Sequence, residues 1–193
     1  MKFLKKIWQC LLTILGDIKV FPFPMFVIYD PSSYRVKGYH TREAMKMLRP
    51  GDVVVRRYCN YLDGWFIPGD YSHSGIYVGD GMIIHAVAED VQYIDVIDFL
   101  RCDGFCVLRQ SSANDALKAV EMARTLVGSH YDFSFRDDNG AFYCHELVAI
   151  CYSALGIQKK SARLLGIQIK PRYLAASFLE DPRFSKVVEC FKP

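Results

Sequence analysis

Apolar positions along this chain change their period several times, and each change marks a different element. Leu4, Ile7, Trp8, Leu11, Leu12 and Leu15 recur at helical spacing with Lys5, Lys6 and Gln9 among them, which predicts an amphipathic helix over residues 1–15. Pro22 and Pro24 then forbid a helix, so residues 20–31 are expected to be extended and loop-like. A short helix is expected from His40 to Leu48, opened by Thr41 and closed by Arg49-Pro50-Gly51. Asp52 to Arg57 is rich in β-branched residues and predicts a strand. Tyr58 to Tyr71 is irregular and aromatic, punctuated by Gly64, Pro68 and Gly69.

Two strands follow, Ser72–Val78 and Met82–Val87, turning at Gly79-Asp80-Gly81. Ile94 to Leu100 reads as a short strand or helix turn, and Phe105 to Arg109 as another strand. Helical patterning then takes over. Ser112 with Asp115 marks a helix start, Ala116, Leu117, Val120, Ala123 and Val127 form its stripe, and Gly128 stops it. A second helix begins near Cys144 and runs to Gly156, and a third is expected over Tyr173–Leu179 between Pro171 and Pro182. Strands early and helices late predict an α+β fold rather than alternating βαβ units. Residues 1–45 form the N-terminal helix and extended segment, and 46–193 the main domain.

Composition adds limits. A chain of 193 residues with 51% hydrophobic and 23% charged residues can bury a full core. Net charge is only +3, and the basic residues are scattered, so no nucleic-acid partner is expected. The odd count of seven cysteines, without framework spacing, points to reduced thiols and a cytoplasmic protein. Cys102 and Cys106 read as packing residues. The stripe in residues 1–15 is too short and too charged to span a bilayer. It is read first as a helix packed on its own domain, and second as a peripheral membrane anchor.

The chemistry concentrates in Phe142-Tyr143-Cys144-His145-Glu146-Leu147-Val148. Cys144 falls in the first turn of a predicted helix, where free N–H groups and the helix dipole favour a thiolate. It shares a face with Leu147, Val148, Cys151 and Leu155, so it points at packed structure. A buried structural cysteine is the plainer reading, and Cys151 is assigned to it. His73 stands at a strand start among Ser72, Ser74 and Gly75, which leave room for a ligand; a histidine bonded to a backbone carbonyl is the alternative. His85 lies in an apolar strand and needs a hydrogen-bond partner. With a three-residue Gly79-Asp80-Gly81 loop, Val78 faces Met82, Gly75 faces His85, and the two imidazoles are diagonal neighbours on one face. A two-residue Asp80-Gly81 loop would put them on opposite faces.

The ordered set Leu48-Arg49-Pro50-Gly51-Asp52-Val53, Tyr71 through Gly81, Ile84-His85-Ala86, Tyr131-Asp132-Phe133 and Phe142 through Val148 resembles the YiiX/YebB-like family. This is the circularly permuted branch of the NlpC-type, papain-like cysteine hydrolases, related to lecithin retinol acyltransferase. The resemblance implies a permuted papain-like fold, an antiparallel sheet or barrel packed on helices with the nucleophile at a helix N-terminus. It implies that His73 deprotonates Cys144, that the thiolate forms a thioester with an amide or ester acyl group, and that His85 orients His73. The main-chain N–H of Cys144 is the expected oxyanion donor, and Tyr71, Ser74 and Tyr143 are expected at the substrate. Where relatives carry Ser after the cysteine, this chain has His145. No cofactor or metal is implied, and the partner is a peptide or lipid acyl substrate.

Two other readings compete. His73, His85, Cys144 and His145 are competent zinc ligands, but His145 points about 100° from Cys144 on a helix. The other is a binding or membrane-associated module that keeps the fold without activity. Arg56 and Arg57 either meet a carboxylate or phosphate or form a solvated strand end, the plainer reading.

Overall fold

The computed structural model describes residues 6–7, 11, 18–21, 26–29, 34–59, 67–135, 139–164 and 167–191. Most of the expected N-terminal helix and half of the aromatic 58–71 segment, residues 60–66, lie outside them; within the former, Ile7 and Leu11 are helical and exposed. Strands β1 (Ile18–Phe21) and β2 (Phe26–Tyr29) pair as an antiparallel hairpin, as the proline-broken segment allows. Helix α1 spans Gly38–Met47. It starts before Thr41, which is buried inside it, because the His40 ring caps it by accepting from the Lys37 N–H at 3.0 Å.

The centre is an open six-stranded antiparallel sheet. It contains β3 (Val53–Arg57), β4 (His73–Gly79), β5 (Met82–Ala86), β6 (Val91–Asp95), β7 (Gly104–Gln110) and β10 (Phe184–Cys190), in the order β10-β7-β3-β4-β5-β6. Helix turn α2 (Val96–Phe99) follows β6, so the ambiguous 94–100 segment is a strand end and then a turn. Helix α3 (Ala113–Thr125) starts where the Ser112 hydroxyl accepts from Asp115 N–H. Its buried face is Ala116, Ala119, Val120 and Ala123, while Leu117 is exposed, contrary to the stripe expected. Helix α4 spans Cys144–Cys151.

The C-terminal part differs most from its expected form. Residues 160–172 make a hairpin, β8 (Lys160–Leu164) and β9 (Ile167–Arg172). The helix expected over Tyr173–Leu179 is only the turn α5, Ala176–Leu179, and β10 then pairs with β7. Nothing in local periodicity distinguishes β10, whose inward residues are set by β7.

Because the strands of this sheet alternate, it has two buried faces. Val53, Val55, Ile76, Val78, Ile84 and Leu108 pack with α3, α4 and Phe178 of α5. Val54, Ile83, Phe105 and Val107 pack on the other side with Ala44 of α1 and with Val96, Phe99 and Leu100. The site lies where β4 and β5 part.

The β4–β5 connection decides its geometry. Asp80 and Gly81 form a two-residue turn in the left-handed region (φ 53° and 73°), with Gly79 facing Met82. The expected Val78–Met82 pairing is therefore incorrect. Uninterrupted, that turn would set His85 opposite Ile76. A bulge between Tyr77 and Gly79 absorbs Val78 and restores Gly75 opposite His85. The pairing that brings the histidines together holds, by a different device from the one expected.

The Leu48-to-Val53 motif is structural. Asp52 is buried and accepts from Arg109 Nε and Nη2 at 2.8 and 2.7 Å and from Arg49 N–H at 2.8 Å. Gly51 has φ +92°, and a Cβ there would lie 2.5 Å from the Ala116 Cβ of α3, so only glycine permits this approach.

Candidate active site

His73 and His85 come from adjacent strands and meet on the face shared with Phe99. His73 Nε2 lies 2.9 Å from His85 Nδ1. Their ring centroids are 5.2 Å apart at 81°, and Phe99 lies 5.6 Å from one and 5.7 Å from the other. Gly75, opposite His85, makes this possible: a Cβ there would stand 2.5 Å from Ile83 Cγ2 and 3.1 Å from Phe99.

Cys144 approaches from α4. Its thiol donates to the Ser72 carbonyl at 3.8 Å, and the Ser74, His145 and Cys144 main-chain N–H groups act on the sulfur. The sulfur thus rests on the main chain of both neighbours of His73. Pairing between β4 and β5 stops at Gly75–His85, so the thiol occupies the open end of that hairpin.

Burial dominates the electrostatics. It pushes the Cys144 thiol up to about 11, against the pull of the Ser74 and His145 N–H groups and of Arg56. The thiolate expected from the helix start is therefore outweighed by desolvation. Burial, then Arg56 and the neighbouring histidines, holds His73 well below its ordinary range, and burial with Arg56 brings His85 down to about 3. At neutral pH the thiol and both imidazoles are uncharged.

The flanking residues have protein partners. Ser74 is buried, with its hydroxyl 2.8 Å from His145 Nδ1. His145 is itself buried, and burial lowers its pKa to about 4. The buried Tyr71 hydroxyl donates to the Glu189 carboxylate at 3.2 Å, and the buried Tyr143 hydroxyl accepts from Tyr173 N–H at 2.8 Å. Among the described residues, no group of three or more His, Cys, Asp or Glu side chains is arranged to hold a metal ion.

Sequence reasoning missed Phe99 and favoured the wrong one of its two readings of Arg56. Arg56 is paired in register with His73, and its guanidinium lies 4.5 Å from the Phe99 ring centroid and donates to the Phe99 carbonyl at 2.7 Å. It is half-buried, not a solvated strand end. No sequence signal marked this, because β3 is central and covered on both faces only in the assembled sheet. Tyr131, legible only as part of a motif, is close enough to Cys144 for the sulfur to raise its pKa further after burial.

A buried cysteine opens a helix packed on a sheet whose histidine strand precedes it in the chain, the order expected of a permuted papain-like fold. Residues 47–188 match the family described as permuted papain-like amidase enzyme, YaeF/YiiX, C92, and the chain belongs to that family. It is 30% identical over 167 residues to Protein OPG091 of Monkeypox virus, covering 83% of this chain and 91% of that one. The corresponding protein of Vaccinia virus (strain Copenhagen) is 27% identical with the same coverage. The fold is similar to the crystal structure of metalloprotein yiiX from Escherichia coli O157:H7, with a TM-score of 0.61 and 20% identity, covering 74% of this chain and 98% of that one.

Proposed function

We propose that the protein is a cysteine amidase in which Cys144 is the nucleophile, His73 the base and His85 the orienter. One observation carries this reading: His73 Nε2 is engaged by His85 Nδ1, while the Cys144 sulfur rests on the main chain of Ser72 and Ser74. His73 Nδ1, the ring nitrogen nearer the main chain, is left to receive the thiol proton. His73 then carries its other proton on Nε2, directed at His85.

Because thiol and imidazole start neutral, proton transfer accompanies attack. The sulfur bonds to the acyl carbon as its proton passes to His73, and the carbonyl becomes an oxyanion. The Ser74 and Cys144 N–H groups beside the sulfur are the proposed donors to it. His73 returns the proton to the leaving amine as the carbon–nitrogen bond breaks, giving a thioester that water resolves to a carboxylic acid. Ser74 serves the substrate through its N–H, while Tyr71 and Tyr143 hold β4 and the start of α4 from behind.

The test compares γ-glutamyl peptides and other amides with acyl lipids, using Cys144→Ala as control. Expected is amide turnover lost in Cys144→Ala, and labelling of Cys144 by a thiol-reactive acyl probe that is lost in His73→Ala. Labelling unaffected by His73→Ala would remove the base from the reading and leave a non-catalytic module.

A further inference from the structure

Arg56 is an unusual residue to find in a central strand. Its Nη1 donates to the Phe99 carbonyl, and the guanidinium lies 4.5 Å from the Phe99 centroid and 5.2 Å from that of Tyr58. Its Nε is buried without a hydrogen-bond partner, and no carboxylate among the described residues pairs with it. A guanidinium stays charged at any working pH, and leaving one half-buried and uncompensated is costly. Aromatic stacking returns only part of that cost.

Its place adds a second argument. Arg56 sits directly across the ladder from His73, and its charge reaches His73, His85 and Cys144. His73 has to become an imidazolium during attack, and a fixed cation beside it opposes that step. An anion on the substrate, bound at the guanidinium, would cancel this opposition when the acyl group arrives. The charge would then couple catalysis to binding of the correct substrate.

Resting on the reading of Cys144 as nucleophile, we propose that Arg56 selects substrates bearing a carboxylate close to the scissile amide, as in an N-acyl amino acid or the last bond of a peptide. The planar fork of arginine fits a carboxylate, and membership of an amidase family favours an amino-acid carboxylate over the phosphate of an ester lipid. The position opposite His73 requires the carboxylate and the attacked carbonyl to be separated by only a few bonds.

Iodoacetate and iodoacetamide differ mainly in a carboxylate, so their rates at Cys144 test this without a known substrate. Alkylation of the full chain is followed by mass at the Cys144 peptide, in wild type, Arg56→Met, Arg56→Lys and His73→Ala. The iodoacetate-to-iodoacetamide rate ratio is expected to fall about tenfold or more in Arg56→Met and to be partly kept in Arg56→Lys. N-acetylglycine should protect Cys144 in wild type better than inorganic phosphate does. A ratio unchanged in both Arg56 variants overturns the proposal, and stronger protection by phosphate overturns the carboxylate assignment in favour of a phosphate-bearing lipid. Failure of the underlying nucleophile reading looks different: labelling of Cys144 by the acyl probe would then be unaffected by His73→Ala, whatever the alkylation ratio.

Discussion

Nε2 of His73 lies 2.9 Å from Nδ1 of His85, with the two rings nearly perpendicular. A single proton joins two neutral imidazoles, so in the proposed triad His85 supplies direction but little countercharge. Replacing His85 by Ala should lower kcat/KM on the order of 10²-fold, and His73→Ala should cost more. His85→Asn, which keeps an acceptor near the Nδ1 position, should retain more activity than His85→Ala. Equal activity of wild type and His85→Ala would remove the orienter.

Cys144 should behave as a protonated thiol at rest. Its pKa near 11 means that iodoacetamide alkylation should accelerate about tenfold per pH unit from neutral into the alkaline range. A thiolate–imidazolium pair would instead give a plateau reaching into acid. Peptide-resolved alkylation between pH 5 and 10 tells the two apart, and a plateau below pH 6 would refute the neutral resting state.

Acid should weaken the fold through its buried histidines. His85 falls to about 3 and His145 to about 4 from an ordinary 6.5, so below about pH 6.5 the unfolded chain binds protons that the folded chain refuses. Stability is therefore complete above that pH and is lost as pH falls toward the folded values. Near pH 4.5 each of the two should cost about 3 kcal/mol, read as a drop in urea midpoint relative to pH 7. Replacing His145 by Gln should flatten the slope.

Asp52 should be a structural carboxylate. It is buried, accepts two bonds from Arg109 and one from the Arg49 main chain, and lies apart from the histidine pair. Asp52→Asn should destabilise by about 3 kcal/mol in urea denaturation. Its Cys144 alkylation profile should keep the wild-type pH dependence; a changed profile would give Asp52 a role at the site.

Gly75 should tolerate no side chain. A Cβ would press on Ile83, the Ile84 carbonyl and Phe99 at 2.5, 3.0 and 3.1 Å, so Gly75→Ala should cost about 1–3 kcal/mol and disturb the His73–His85 contact. Denaturation together with Cys144 labelling checks both effects. Wild-type values in each would show that the strands can separate without consequence.

Much of this site was legible because its members fall at positions with strong local signals. Cys144 opens a helix that hydrophobic spacing and the Tyr131-to-Val148 motifs mark, and the histidines sit on strands that flank a glycine-rich turn. Those features are local, and local sequence sets them: residue type fixes whether a turn is left-handed, where a helix starts and which side chains can move a proton. Only tertiary structure decided the rest. The bulge at Val78, the rise of the thiol pKa by burial and the placing of Arg56 opposite His73 depend on which strands become neighbours and how much water they exclude. Pairing and desolvation are properties of the assembled sheet, and no window of the chain contains them.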